Sequence, residues 1–352
     1  MERENVFFYP LRLQASFHET LWGGRDLEGW KQLPDGTGAI GEAWETEISA
    51  IVQNGPFAGK TLGDLVNLLG DTLLGAQALS IFGKRFPLLA KFIDAHARLS
   101  VQVHPDDRYA AEHEGGKLGK TECWYILSAA PGASIVHGFK AATSREAVRQ
   151  AIQDVTLEQL LHEEPVQAGD VIFVPAGTVH AIGAGILLYE LQEYSDVTYR
   201  LYDYGRLTAS GKPRELHIDR SLDVARYDVS RRVRVRPVLL AGEDSYEDRC
   251  LVACPYFIMH ELRLKPSQNR PGSFTGRTSG SCVILSSTGA EARVYYGDSS
   301  DRSEAFLKGE TVVLPAALGS YRIEGSGTLL LSSVPSPGDA GWRLWQEAQE
   351  NS

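Results

Sequence analysis

One histidine stands in a short segment with strong strand and turn signals. Gly169 opens an apolar run, Pro175 and Gly177 close it, and His180 follows three residues later. This pattern predicts a turn glycine, a buried strand and a tight turn, with His180 at the start of the next strand. The segment therefore places an imidazole, the side chain that most often binds metals, at the rim of a β cavity.

The spacing G-x5-P-x-G-x2-H resembles the second signature of the cupin superfamily of small β barrels, in which the histidine binds a metal. The sequence departs from that signature at Ala184, where an asparagine often stands. The resemblance implies further ligands on an earlier pair of strands, normally His-x-His and a glutamate. The chain before residue 169 contains residues of these types at suitable spacing.

The candidate ligands are Gln102, His104 and Glu122. Alternation along a strand places Ser100, Gln102 and His104 on one face. With His180, the set offers two imidazoles, one carboxylate and one amide oxygen, and it leaves room for water or substrate at a divalent ion. We expect one zinc ion per chain, although this donor set also suits ferrous iron.

Several further strings resemble the short bacterial form of the type I mannose-6-phosphate isomerase family. The resemblance covers roughly residues 10–225 and is weaker beyond them. Its motifs lie at residues 21–24, 41–45, 99–107, 119–125, 195–204 and 213–217. In that family the zinc ligands correspond to Gln102, His104, Glu122 and His180.

The resemblance implies an aldose–ketose isomerase that interconverts mannose 6-phosphate and fructose 6-phosphate through an enediol. It points to Arg200 and Lys120 for charge stabilisation and proton handling. An arginine stays protonated, so Arg200 suits electrostatic stabilisation better than proton removal. The resemblance assigns the phosphate to Lys91 and Ser100, and Lys91 is notable because a lysine in an apolar run is costly to bury.

The elements that must position these residues are mostly short strands. Apolar runs between glycines and prolines predict buried strands, and helical signals concentrate in a segment near residues 61–95. No regular alternation of strands and helices occurs, which favours a mainly β, antiparallel fold built from cupin or jelly-roll barrels. We expect a catalytic domain over residues 1–235, a jelly-roll domain without metal over 236–340, and a tail over 341–352.

Composition limits the partners of the protein. The 352 residues include 35 Lys plus Arg and 45 Asp plus Glu, so the net charge is −10. This acidity argues against general binding to nucleic acid or to anionic membranes. The four scattered cysteines and the lack of a signal-like or membrane-spanning stretch predict a soluble, cytoplasmic protein. The resemblance implies a small phosphosugar as its partner, and the sequence leaves both a monomer and a homodimer open.

Two other functions remain open on the sequence. Two histidines and a carboxylate also suit a cupin oxygenase that uses ferrous iron, which oxygen uptake would reveal. A sugar-binding cupin that has lost catalysis is the second alternative. The cations Lys91, Lys120 and Arg200 favour an anionic sugar as ligand over the oxygenase.

Overall fold

The computed structural model describes residues 8–208, 210–229, 233–268, 270–278, 280–289, 291–297 and 301–350. Its strands are numbered in chain order. They are β1 Leu11–Arg12, β2 Ser16–Gly24, β3 Ile40–Trp44, β4 Leu88–Ala95, β5 Val101–Val103, β6 Glu122–Ala129, β7 Ser134–Phe139, β8 Leu161–Pro165, β9 Val171–Val174, β10 His180–Ile182, β11 Ile186–Glu193, β12 Tyr199–Tyr202, β13 Val238–Gly242, β14 Tyr246–Ala253, β15 Ile258–Leu264, β16 Gly272–Arg277, β17 Val283–Ser287, β18 Glu291–Tyr296, β19 Arg302–Phe306, β20 Thr311–Leu314 and β21 Ser320–Ser333.

The α-helices are shorter and fewer. They are α1 Leu62–Leu69, α2 Asp71–Leu74, α3 Ala76–Phe82, α4 Asp107–His113, α5 Arg145–Gln153, α6 Ile218–Val224 and α7 Ala340–Glu350. None of the helices in the described part of the chain is both long and apolar enough to cross a membrane. The expectation of a mainly β fold is confirmed.

The chain divides into two compact units, and unit 2 comprises Phe17–Trp44 and Leu89–Val235. It contains one sheet with the strand order β2-β3-β4-β11-β6-β9 and another with the order β12-β5-β10-β7-β8. Trp124 from the first sheet meets Ile135 and Ile182 from the second in one buried cluster. The two sheets therefore pack face to face and share a core.

Strand β5 separates that shared core from a second one. Val101 and Val103 lie in a cluster on the outer side of the five-stranded sheet. Gln102 therefore faces the space between the sheets, because successive side chains alternate. Its Cα partners in the neighbouring strands are His180 and Arg200, so all three side chains belong to the inner face.

Unit 1 comprises Glu45–Leu88 with the chain up to Ser16 and from Arg236 onward. Its ten-stranded sheet follows the path β1-β20-β17-β21-β15-β14-β13, with β16, β18 and β19 attached. The helices α1 to α3 belong to this unit and contact its C-terminal strands. Gln77 N donates a hydrogen bond to Gly280 O at 2.7 Å.

The division of the chain into these two units differs in one respect from the two consecutive domains expected from the sequence. The switch between units at residue 235 coincides with the expected join, but residues 45–88 belong to unit 1 rather than to the unit with the expected catalytic residues. Each unit is thus assembled from separate stretches of chain. The assignment of a catalytic and a jelly-roll domain to consecutive halves stays a prediction.

The helical segment expected over residues 61–95 is too long. Its start is correct, because Thr61 caps α1 and forms a capping box with Asp64. The helices end at Phe82, where Gly83 with φ 64° terminates α3. Residues 88–95 form β4, because this run is buried along its whole length and pairs with β3 in the middle of a sheet.

Residues 341–350 of the expected tail belong to helix α7, and residues 351–352 lie outside the described residues. Trp345 on this helix is buried, and its Nε1 donates a hydrogen bond to Leu251 O at 2.9 Å. An indole that is buried with its N–H satisfied anchors the helix against β14 of the same unit.

Candidate metal centre and substrate pocket

Three buried side chains from distant strands meet between the two sheets of unit 2. His104 follows β5, Glu122 begins β6 and His180 begins β10. Their ligand atoms all lie within 4.8 Å of one another. The carboxylate lies between the imidazoles, with Glu122 Oε1 3.2 Å from His180 Nε2 and Glu122 Oε2 3.5 Å from His104 Nε2.

Backbone carbonyls orient both imidazoles. His104 Nδ1 donates a hydrogen bond to Val197 O at 2.9 Å, and His180 Nδ1 donates one to Thr178 O at 2.8 Å. A carbonyl oxygen only accepts, so in both rings the proton is on Nδ1 and the lone pair is on Nε2. Both lone pairs face Glu122, and a hydrogen bond from the second ring nitrogen is typical of histidines that bind metals.

The charge states of the three residues suit a cation. Burial and the neighbouring Lys120 lower the pKa of His104 to about 3, and burial lowers the pKa of His180 as well. Both imidazoles are therefore neutral at pH 7. Burial alone would raise the pKa of Glu122, but the Lys120 ammonium 2.8 Å away outweighs it and holds this pKa well below its usual value.

Buried polar atoms at the centre of the cluster lack a hydrogen-bond partner in the described part of the chain, and they show whether a metal ion fits there. His104 Nε2 and Glu122 Oε1 are buried and have no hydrogen-bond partner among the described residues, while Glu122 Oε2 has its ion pair with Lys120. Such atoms are costly to bury unless they are paired. Two neutral imidazoles and a carboxylate with lone pairs converging on one point fit a divalent cation.

Gln102 lies next to this triad. Its Nε2 is 3.3 Å from His180 Nε2. The structure thus brings the amide of the fourth expected ligand to the edge of the cluster with its nitrogen facing inward. A half-turn of the amide exchanges nitrogen and oxygen and would present the oxygen instead.

Two lysines and two further carboxylates continue the buried charge beyond the triad. Lys120 Nζ lies 3.9 Å from Glu190 Oε1. Lys91 Nζ lies 3.2 Å from the same oxygen and 3.6 Å from Glu42 Oε2. Burial would lower the pKa of Lys91, but these two carboxylates outweigh it and raise this pKa above its ordinary value. Lys91 is therefore a buried, paired cation.

Sequence reasoning did not identify two of these neighbours, Glu42 and Glu190. Glu190 accepts a hydrogen bond from Trp124 Nε1 at 3.0 Å. Trp44 places its ring 4.6 Å from the Lys91 ammonium and donates its Nε1 hydrogen to Glu42. The available signal was a charged residue inside an apolar run, which Glu190 shows in β11 as clearly as Lys91 shows it in β4.

Arg200 lies on β12 beside Gln102. Its Nη1 donates a hydrogen bond to Glu215 O at 2.8 Å, and its buried Nε has no hydrogen-bond partner among the described residues. Burial and the neighbouring Arg214 lower the pKa of Arg200. The guanidinium therefore has donor capacity left for an anion.

A cavity of about 420 Å³ joins these residues. Its volume is within the range of sites for small molecules. All five of the remaining expected residues line it, with Ser100 almost fully buried beside β5. These residues are Lys91, Ser100, Gln102, Lys120 and Arg200.

Comparison with known proteins places the chain in a family. The profile described as "Phosphomannose isomerase type I, catalytic domain" matches residues 11–127. Mannose-6-phosphate isomerase from Streptococcus mutans is 36% identical, over 92% of this chain and 98% of that protein. Mannose-6-phosphate isomerase ManA from Bacillus subtilis is 36% identical, over 95% of this chain and 100% of that protein.

Solved structures agree with the sequence comparison. The crystal structure of mannose 6-phosphate isomerase from Bacillus subtilis superposes with a TM-score of 0.81 and 31% identity, covering 92% of this chain and 99% of that one. The match confirms the expected cupin-type fold class. The chain belongs to the type I phosphomannose isomerase family.

Proposed function

We propose that this chain is a metal-dependent aldose–ketose isomerase that interconverts mannose 6-phosphate and fructose 6-phosphate through an enediol. The observation that carries the proposal is the buried triad of two neutral imidazoles and a carboxylate next to a cavity lined by Lys120 and Arg200. The reaction moves a proton between C1 and C2 and develops negative charge on the sugar oxygens. In this cavity Lys120 is available for proton transfer to and from the sugar oxygens, and Arg200 is available to stabilise the negative charge.

The proposed metal is zinc, one ion per chain, held by His104, Glu122, His180 and the amide oxygen of Gln102. Imidazole and carboxylate ligands are typical of zinc sites that leave a position open. When bound, the ion supplies polarisation of the sugar oxygens without a change of oxidation state.

Lys120 and Arg200 are the proposed catalytic residues. The Lys120 ammonium stands between Glu122 and Glu190 inside the cavity, where it is able to donate a proton to a sugar oxygen and take it back. Arg200 stays charged, lines the cavity and has an Nε without a hydrogen-bond partner among the described residues, so it is the group proposed to stabilise the enediolate electrostatically.

Lys91 and Ser100 are the proposed substrate-binding residues. The Ser100 hydroxyl both donates and accepts hydrogen bonds, which suits a sugar or phosphate oxygen. Lys91 adds positive charge at the same wall, although a phosphate must compete with Glu42 and Glu190 for its ammonium. The binding contribution of Lys91 therefore depends on those two carboxylates.

A coupled assay tests the function directly. The protein loaded with zinc should convert fructose 6-phosphate to mannose 6-phosphate, lose this activity in a chelator and regain it when zinc is restored. Absence of turnover after zinc is restored would defeat the proposal. Oxygen consumption would instead point to an iron oxygenase.

We also propose a cytoplasmic location and a monomeric or homodimeric state. All four cysteines are free and buried, which suits a reducing compartment. Cell fractionation and size-exclusion chromatography with light scattering measure the two properties.

A further inference from the structure

Two carboxylates hold the stretch of chain that presents the proposed catalytic lysine. This stretch, residues 118–121, connects α4 to β6 and is named the lysine segment. Asp107 Oδ1 accepts a hydrogen bond from Gly119 N at 2.8 Å. Glu193 Oε1 accepts one from Thr121 N, also at 2.8 Å. The two carboxylates therefore fix the backbone on both sides of the lysine.

Glu193 is buried, and it lies against the half-buried side chain of Asp107. Glu193 is 1% exposed, and its second oxygen, Oε2, has no hydrogen-bond partner among the described residues. The Asp107 side chain lies against it, and burial together with Asp107 raises the pKa of Glu193 to about 8. Two ionised carboxylates only accept hydrogen bonds, so a bond between them requires a proton.

The lysine and arginine side chains that lie near Asp107 and the lysine segment in the sequence are engaged elsewhere. Each of them contacts another carboxylate. These contacts are Lys120 with Glu122, Lys117 with Asp196 and Arg108 with Glu112. A proton is thus the available source of positive charge between Asp107 and Glu193.

We propose that Glu193 is a positioning residue that shares one proton with Asp107, and that this shared proton keeps the lysine segment in the geometry in which Lys120 reaches the active site. The inference rests on the proposed function for the role of Lys120. Loss of the proton places a buried carboxylate anion, Glu193, beside a half-buried one, Asp107, and the two like charges repel each other. Their separation pulls on the amides of Gly119 and Thr121 and displaces the lysine between them.

The alkaline side of the pH profile tests this role. Activity of the zinc enzyme on fructose 6-phosphate is measured from pH 6 to 10 for the wild type and for Glu193→Gln. The wild type should lose kcat as pH rises through about 8. A glutamine still accepts from Thr121 N and donates to Asp107 without titrating, so its alkaline limb should lie about one pH unit or more higher.

A matched control is Asp94→Asn. Asp94 is also a buried carboxylate that accepts a backbone hydrogen bond, from Asp26 N at 2.8 Å, and burial also raises its pKa. It lies on β4, away from the lysine segment. Its variant should show the alkaline limb of the wild type, which separates the effect of Glu193 from that of any buried carboxylate.

Hydrogen exchange adds a readout that does not depend on turnover. After correction for intrinsic rates, peptides that contain Gly119 and Thr121 should exchange faster above pH 8 in the wild type and not in Glu193→Gln. The inference would be overturned if the wild type and Glu193→Gln had the same alkaline limb of kcat and the same hydrogen-exchange rates. A Glu193→Gln variant that is less stable than the wild type at every pH would also overturn it. If the wild type has no isomerase activity, only the proposed function is contradicted. The hydrogen-exchange experiment still tests the shared proton in that case.

Discussion

At the scale of single residues, the buried charges near the metal centre depend on one another. Lys91 contacts two carboxylates, and both of them lie in the same buried pocket. Removing one partner of such a group leaves the others as uncompensated charges, which costs far more than an exposed ion pair contributes.

Lys91→Met should therefore lower the free energy of unfolding by about 3–5 kcal/mol, because Glu190 and Glu42 lose their cation. Lys117→Met is the matched control, since Lys117 forms an exposed pair with Asp196 and should change stability by less than about 1 kcal/mol. Chemical denaturation measures both. Equal effects of the two substitutions would contradict the pairing seen in the structure.

Arg200→Ala should reduce kcat by about 10²–10³ with the fold intact, because a preorganised donor to the enediolate is lost. Arg108→Ala, on the exposed face of α4, should leave kcat unchanged. Steady-state kinetics with circular dichroism as the folding check makes the comparison. An Arg200 variant that turns over as fast as the wild type would remove this residue from the mechanism.

Sequence patterns located some of these residues and not others for a physical reason. His180 stands in a local turn motif, and Gln102 and His104 share one strand face, so their positions follow from neighbouring residues. The contact of Glu42 and Glu190 with Lys91 depends instead on the pairing of β3 with β4 and on the neighbouring position of β11. Strand order and register arise from long-range packing, which short patterns do not encode.

At the scale of elements, the turn between β9 and β10 connects both histidine ligands. Gly177 N donates a hydrogen bond to His104 O at 2.8 Å, and Thr178 O accepts the hydrogen bond from His180 Nδ1. Gly177 has φ 85°, and a Cβ there would lie 2.9 Å from Val224 O. The glycine predicted from the motif is thus needed for both its conformation and its small size.

Gly177→Ala should weaken zinc binding by about tenfold or more, because the turn that orients the ligands must shift. Gly169→Ala is the control, since Gly169 has φ 90° but open space where a Cβ would stand. It should show only the cost of a positive φ, about 1–2 kcal/mol of stability. Competition with a chelating dye measures the affinities, and equal zinc affinities would contradict the role of the turn.

At the scale of the whole molecule, the sequence predicted the mainly β class and the family, and the structure adds an exchange of chain between two units. Residues 45–88 join strands that begin after residue 236 in one unit, although nearly 150 residues separate them. No composition shift near residue 45 or 88 marks that exchange. The three proposed metal ligands, in contrast, all come from unit 2, where two sheets bring positions 104, 122 and 180 together.

Metal analysis of the purified protein tests the central claim most directly. We predict about one zinc per chain in the wild type, with X-ray absorption showing nitrogen and oxygen ligands at about 2.0–2.2 Å. His162→Ala, which removes a half-buried histidine paired with Glu164, should keep the zinc, and His104→Ala should lose it. A wild type that binds no zinc, or a His104→Ala variant that binds it as fully as the wild type, would contradict the account.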